Sequence, residues 1–258
     1  MEQIALLAGG LATRMRPQTE TIPKSLLPVA GRPFIEWQLE LLQAGGLRRV
    51  VLCVGYLGEQ IVAAVGDGRE WGMEVRYSWD PPGQPLGTGG ALVNAFDLLE
   101  EAFFVLYGDS YLPTDYQAVA QAFEAASYPA LMTVYRNENR WDPSNVRLEG
   151  DRVAYYEKGC QGADYIDYGL TALRREVLEP GRERQRSAIS DQRPARNGEV
   201  VALRSPLTAD RCPLDLAEIY RELVRRGEMG AYEVGERFYE IGKPEGLRDL
   251  EAYLRACG

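Results

Sequence analysis

The sequence contains no histidine. That excludes Ser-His-Asp and Cys-His catalysis, His-ligated zinc and haem, and any mechanism with imidazole as its base. The remaining chemistry must run on carboxylates, cations, backbone amides or a hard metal. Cysteine is sparse and scattered, with four residues at 53, 160, 212 and 257. None are spaced C-x-x-C, so neither a zinc site nor a small disulfide framework is expected. No apolar run approaches the ~18 residues of a membrane span, and the opening Met1-Glu2-Gln3 lacks a basic leader region. The expectation is a soluble, cytoplasmic protein. Positive charge is also in deficit: 29 Lys and Arg stand against 38 Asp and Glu, for a net charge of −9. A surface of that sign disfavours nucleic acid and anionic membrane as partners.

The 258 residues, 45% hydrophobic and 26% charged, are enough for one large α/β domain or two small ones. In the first 135 residues, apolar runs at 4–7, 49–55, 73–79, 102–107 and 130–135 read as strands. Helical patterns at 33–45, 57–65, 88–101 and 116–127 alternate with them. Strands alternating with helices predict an α/β fold with a mainly parallel, twisted sheet flanked by helices. The second half is less regular. Residues 145–149 and 152–156 form a hairpin pattern around Gly150-Asp151, 213–226 and 245–255 read as helices, and 232–241 holds one or two strands. The arginine-rich, weakly apolar stretch 179–211 reads as a mobile surface loop or insertion. With no repeat and no clear linker, residues 1–258 are read as one domain.

The most informative stretch is Leu7-Ala8-Gly9-Gly10-Leu11-Ala12-Thr13-Arg14-Met15-Arg16-Pro17. The two glycines permit a sharp turn with exposed amides, and Thr13, Arg14, Arg16 and then Lys24 bring donors and positive charge. A plain strand-to-helix turn explains the glycines and leaves the cations unexplained. The spacing is neither G-x-G-x-x-G nor G-x-x-x-x-G-K-[ST], so a nicotinamide dehydrogenase is not supported. Ligands of parallel sheets sit outside the carboxyl ends of the strands. The glycine-arginine loop and Gly108-Asp109 both follow strands and therefore belong on one rim.

Residues 7–39, LAGGLATRMRPQTETIPKSLLPVAGRPFIEWQL, resemble the signature of the sugar-1-phosphate nucleotidylyltransferases. Ala12 replaces a glycine usual in that family, and Gln18 also departs from it. Further elements follow in the family's order: Gly83-Gln84-Pro85-Leu86-Gly87-Thr88-Gly89-Gly90-Ala91, Gly108-Asp109-Ser110, Glu157-Lys158, Asp167-Tyr168-Gly169 and Tyr239-Glu240-Ile241-Gly242. Asp167 and Tyr168 stand where the family has Asn and Ala, and Glu240 where it has Asp. The likeness spans roughly residues 4–178 and 213–256. It implies a Rossmann-like nucleotidyltransferase fold, with 1–135 as the nucleotide-binding half. The half from 136 to 258 would be a small, irregular, β-rich sugar-binding part.

The resemblance implies transfer of a nucleotidyl group from an NTP to a sugar 1-phosphate, with pyrophosphate leaving in line. The attacking phosphate is already ionised at pH 7, which suits a chain without histidine. The difficulty is bringing two polyanions together, and this calls for positioning and neutralisation. Arg14, Lys24 and Asp109 are the implied catalytic residues. Leu7, Ala8, Gly9, Gly10, Thr13, Arg14, Gln84, Pro85, Thr88 and Gly89 are implied to hold the nucleotide. Lys24, Glu157, Lys158, Asp167 and Gly169 are implied to hold the sugar phosphate, and Asp109 and Glu240 a Mg²⁺ ion. Thr88 is also read as the cap of the helix that follows it. The 85–91 stretch, Pro-Leu-Gly-Thr-Gly-Gly-Ala, is most similar to guanylyltransferases of mannose- or heptose-type 1-phosphates. UTP- or dTTP-dependent transfer and a non-catalytic regulatory homologue remain as alternatives. The oligomeric state, a homo-oligomer included, is left open.

Overall fold

The computed structural model describes residues 1–157, 161–190 and 213–257. The chain begins with β1 (Gln3–Leu7), followed by short 3-10 turns at Thr13–Met15, Gln18–Glu20 and Lys24–Leu26. A small hairpin of β2 (Pro28–Val29) and β3 (Arg32–Pro33) leads into α1 (Phe34–Ala44). Then come β4 (Arg49–Val54), α2 (Gly58–Val65), β5 (Glu74–Trp79), α3 (Gly87–Asn94), β6 (Ala102–Tyr107), β7 (Ser110–Tyr111) and α4 (Tyr116–Ala125). The second half comprises β8 (Ala130–Arg136), β9 (Val146–Glu149), β10 (Arg152–Tyr156), β11 (Tyr165–Arg174), α5 (Glu179–Ser190), α6 (Leu216–Arg226), β12 (Met229–Val234), β13 (Tyr239–Glu240) and α7 (Pro244–Cys257).

Nine strands form one sheet in the order β5-β4-β1-β6-β11-β8-β12-β10-β9. From β5 to β6 every pairing is parallel, as the alternation predicts. Beyond β6 the sheet is mixed, because β11 runs antiparallel to both β6 and β8 while β12 pairs parallel with β8. Successive residues of β1 face opposite sides. Ile4 and Leu6 join a core with Ile35 and Leu39 of α1, Ile61 of α2 and Val119 of α4. Ala5 joins the opposite core with Leu92 of α3 and Leu216 and Leu223 of α6. Each fully enclosed leucine of this kind stabilises the fold by roughly 2 kcal/mol. A third, smaller cluster of Val29, Phe34, Tyr111, Ile241 and Leu250 ties α7 and the β7–β13 pair to α1.

Two expectations are corrected. The stretch predicted as a loop from 179 begins as a helix, α5, and the remainder, 191–211, lies outside the described residues. The helical pattern at 88–101 ends early: α3 stops at Asn94 and a 3-10 turn covers Phe96–Leu98. Residues 165–174, not read as a strand from the sequence, form the ten-residue β11 that joins the two halves of the sheet.

Candidate active site

The parallel order β4-β1-β6 brings three carboxyl-end loops together, and their backbones touch. A Cβ on Gly108 would lie 2.9 Å from the Leu7 carbonyl oxygen, and one on Gly9 would lie 3.3 Å from the Gly55 amide nitrogen. The Ala8 amide donates to the Cys53 carbonyl at 2.9 Å, and the Gly108 amide to that of Leu7 at 3.0 Å. Gly10, by contrast, faces open space. The result is a cavity of about 330 Å³ lined by Leu7 to Gly10, Arg14, Lys24, Pro85, Thr88 and Asp109 among others. Arg14 is exposed and has no ion pair among the described residues.

At one end of this cavity the Lys24 Nζ donates to Asp109 Oδ2 at 2.6 Å. Three features position the pair. Lys24 begins a 3-10 turn closed by the Leu27 amide donating to its carbonyl. The buried Gln38 of α1 donates from Nε2 to the carbonyls of Tyr107 at 3.1 Å and Ser110 at 2.8 Å, pinning the turn that carries Asp109. Gly242 supplies the third, since a Cβ there would lie 3.5 Å from Asp109 Oδ2 and 3.6 Å from Lys24 Nζ.

The β13–β7 pairing sets Glu240 opposite Ser110, and the Ile241 amide donates to the Asp109 carbonyl at 2.9 Å. Glu240 and Asp109 thus face one crevice of about 280 Å³, which Arg14, Arg237 and Lys243 also line. Glu240 is an exposed residue, yet its carboxyl lies close enough to protein to lose part of its hydration. That loss of water, then the charges of Asp109 and Asp142, pushes its carboxyl up to about 7, while Lys24 pulls the other way.

The mixed half meets the same rim. Leu170 of β11 stands opposite Leu106, so residues 167–169 lie beside the carboxyl end of β6. The β11–β8 register breaks between Asp167 and Thr171, and Gly169 takes a left-handed φ of +97° there. Asp167 accepts from the Gly169 amide at 2.9 Å and the Tyr156 hydroxyl at 3.2 Å. Burial pushes its carboxyl up to about 6, against the pull of those two bonds. Tyr107, at the end of β6, is held protonated by burial and then by Asp167, Asp215, Asp109 and Glu240.

Backbone amides at a strand-loop floor, two cations and facing carboxylates suit a polyphosphate held with a hard cation. Residues 4–143 match the protein family described as nucleotidyl transferase. The chain belongs to that family.

Relatives of this nucleotidyl transferase differ in what their names say they transfer. The N-acetylmuramate α-1-phosphate uridylyltransferase of Neisseria meningitidis serogroup B is 42% identical over 123 residues, covering 47% of this chain and 52% of that one. The D-glycero-α-D-manno-heptose 1-phosphate guanylyltransferase of Aneurinibacillus thermoaerophilus is 30% identical over 183 residues, covering 69% and 77% respectively. Among solved structures, HddC from Yersinia pseudotuberculosis, also known complexed with GMP-PN, aligns over 98% of this chain and 100% of its own. Its TM-score is 0.69 at 23% identity, a likeness of fold. The chain spans about half the length, or less, of several curated relatives that it matches: 52% of the Neisseria protein, and 37% of a glucose-1-phosphate thymidylyltransferase from Streptomyces griseus.

Within this nucleotidyl transferase, the residues expected from sequence fall in several places. Leu7, Ala8, Gly9, Gly10, Arg14, Lys24, Pro85, Thr88 and Asp109 line the cavity, and Glu240 lines the adjoining crevice. Thr13, Gln84 and Gly89 are not among the lining residues of either. Asp167 and Gly169 stand beside Tyr107, whereas Glu157 is exposed and accepts from the Tyr155 hydroxyl at 2.7 Å. Lys158 lies outside the described residues.

The capping role expected of Thr88 is corrected. Thr88 sits inside α3, and its hydroxyl donates to Asp215 at 2.9 Å and accepts from the Leu216 amide at 2.8 Å. It caps α6 instead. The first amides of α3 are also engaged, since Gly89 and Gly90 both donate to the Leu214 carbonyl. Sequence reasoning missed Asp80, Ser25 and Tyr107 in the cavity wall. Asp80 was within reach of the rule that found Gly9 and Asp109, because it too follows a parallel strand.

Proposed function

We propose that this chain transfers a nucleotidyl group from an NTP to a sugar 1-phosphate, giving an NDP-sugar and pyrophosphate. The observation that carries this reading is the meeting of Lys24, Asp109 and Arg14 at one end of a single cavity. The sugar phosphate oxygen attacks the α-phosphorus, and the bond to the β-phosphate oxygen breaks on the opposite side. Arg14, with its planar fork of donors, holds the departing β- and γ-phosphates. Lys24 holds the negative charge that builds between the attacking and attacked phosphates. Gly9 and Gly10 let the nucleotide approach the loop backbone closely, and Asp167 and Gly169 hold the sugar. Lys158 is assigned to the sugar phosphate on sequence similarity alone.

Asp109 and Glu240 fit a Mg²⁺ ion. Both are hard oxygen donors facing one crevice. Such an ion neutralises phosphate charge when bound. For the substrates, we infer GTP and a mannose- or heptose-type 1-phosphate. Support comes from the 85–91 sequence and from the heptose 1-phosphate guanylyltransferase relative matched over 77% of its length. The uridylyltransferase relative favours UTP as the competing base. A matrix of NTPs against sugar 1-phosphates, read as Mg²⁺-dependent pyrophosphate release, tests both levels. Release is expected only where both substrates are present. Nucleotide binding without release in any combination would instead indicate a regulatory homologue.

A further inference from the structure

Asp80 closes β5, and β5 lies three strand spacings from β6, which carries Asp109. At 4.7–4.9 Å per spacing that is roughly 14 Å across the rim. The cavity therefore has a charged end at Lys24 and Asp109, and a far end where Cys53, Pro85 and Ala91 surround Asp80. Asp80 is the only carboxylate among the lining residues of that far end. Its Oδ2 accepts from the Leu86 amide at 3.3 Å. Its Oδ1 has no hydrogen bond among the described residues. Oδ2 also packs against the Gly9 and Gly55 backbones, where Cβ atoms would lie 3.5 and 3.2 Å from it. Burial raises the carboxyl's pKa, and the Leu86 amide offsets part of that rise.

A carboxylate only accepts hydrogen bonds. Among the common bases, guanine alone presents two adjacent donors, N1–H and the N2 amine, on its pairing edge. Uracil and thymine set one N–H between two carbonyl oxygens, while adenine and cytosine set an amine beside a bare ring nitrogen. With any of these, a carboxylate spanning two neighbouring edge atoms meets a lone pair. We propose that Asp80 reads the N1–H and N2 amine of guanine and so selects GTP. This rests on the nucleotidyl-transfer reading above and names the residue that chooses its nucleotide. The competing explanation is that Asp80 serves only to brace the 80–86 turn through Leu86. Asp80→Asn separates the two, because asparagine keeps an oxygen for the Leu86 amide and replaces the second acceptor with a donor.

The test is calorimetric titration of the full chain with GTP, ITP, which lacks the N2 amine, and UTP, each with Mg²⁺ and without sugar phosphate. Wild-type protein is expected to bind GTP at least tenfold more tightly than ITP or UTP. In Asp80→Asn the GTP-to-ITP ratio should fall to about one, and GTP should lose at least tenfold relative to UTP. An equal loss for all three nucleotides, or a wild type without preference for GTP, overturns the proposal even if pyrophosphate release is observed. The wild-type GTP-to-ITP ratio decides on its own if the variant does not fold. Selective loss in the variant without pyrophosphate release from any sugar 1-phosphate supports the base contact and overturns the transfer reading.

Discussion

The two halves of the sheet contribute to the site in opposite ways. In the parallel half, strand direction alone delivers β1, β4, β5 and β6 to one rim, and what they deliver includes a backbone floor and the cations Arg14 and Lys24. In the mixed half strand direction varies, and the contribution is the carboxylate Asp167 from a bulge inside β11, joined by Glu240 from the separate β13–β7 pair. One half presents groups suited to phosphate. The other supplies groups suited to hydroxyls or a metal ion.

Removing a cation should affect the parallel half most. Lys24→Ala and Arg14→Ala are each expected to lower kcat/KM 10²–10³-fold, about 3 kcal/mol at the barrier, with thermal melting close to wild type. Near-normal turnover in either would remove the cationic half from the chemistry. The next effect tests how that half is held. Gln38→Leu leaves the Tyr107 and Ser110 carbonyls without their buried donor. Denaturant unfolding should show a loss of about 1–3 kcal/mol, with turnover falling as the Asp109 turn loosens.

The mixed half is best probed through pH. The Asp167 carboxyl is pushed up to about 6 in the folded chain from an unfolded value near 3.8. Between those values the unfolded chain has released its proton and the folded chain retains it. This group therefore makes stability fall as pH rises from about 4 to 6, with no further change above. Asp167→Asn should remove its share of that slope, a gain over wild type of about 1–2 kcal/mol at pH 8, allowing for its partial solvent contact. Melting curves at pH 4 and 8 measure the difference. An unchanged slope would show that Asp167 is not strained by burial.

The smallest effect belongs to the first loop. Ala12 adopts φ +48° and ψ +40°, the left-handed region, which accounts for the family's usual glycine at this position. Ala12→Gly relieves that cost but loosens the unfolded chain, so chemical denaturation should move by no more than about 1 kcal/mol. Turnover should be unchanged.

The same division explains what could be read in advance. The strands of the parallel half were legible because each is a compact apolar run with a turn signal after it, and the rule for ligands at strand ends then located Gly9 and Asp109. In the mixed half, β11 was not legible because Gly169 interrupts the run at its bulge. A bulge is defined by register with a neighbouring strand, which a single sequence does not display. Gln38 was hidden for a related reason: a polar residue on the buried stripe of α1 looks like a flaw until Tyr107 and Ser110 are known to lie beneath it. Thr88 was misassigned because its partners, Asp215 and Leu216, are more than 120 residues away.

The floor where Gly9, Gly55 and Gly108 meet neighbouring chain passages is made of main-chain atoms. Proline apart, substitution cannot alter a peptide group's hydrogen-bonding atoms, and an added side chain has no room at Gly108 and little at Gly9. Variation is therefore channelled to the side-chain walls around Asp80, Pro85 and Asp167. The molecule separates an inheritable constant from its adjustable parts, so changes in what is recognised can accumulate without redrawing the surface on which the phosphates would rest.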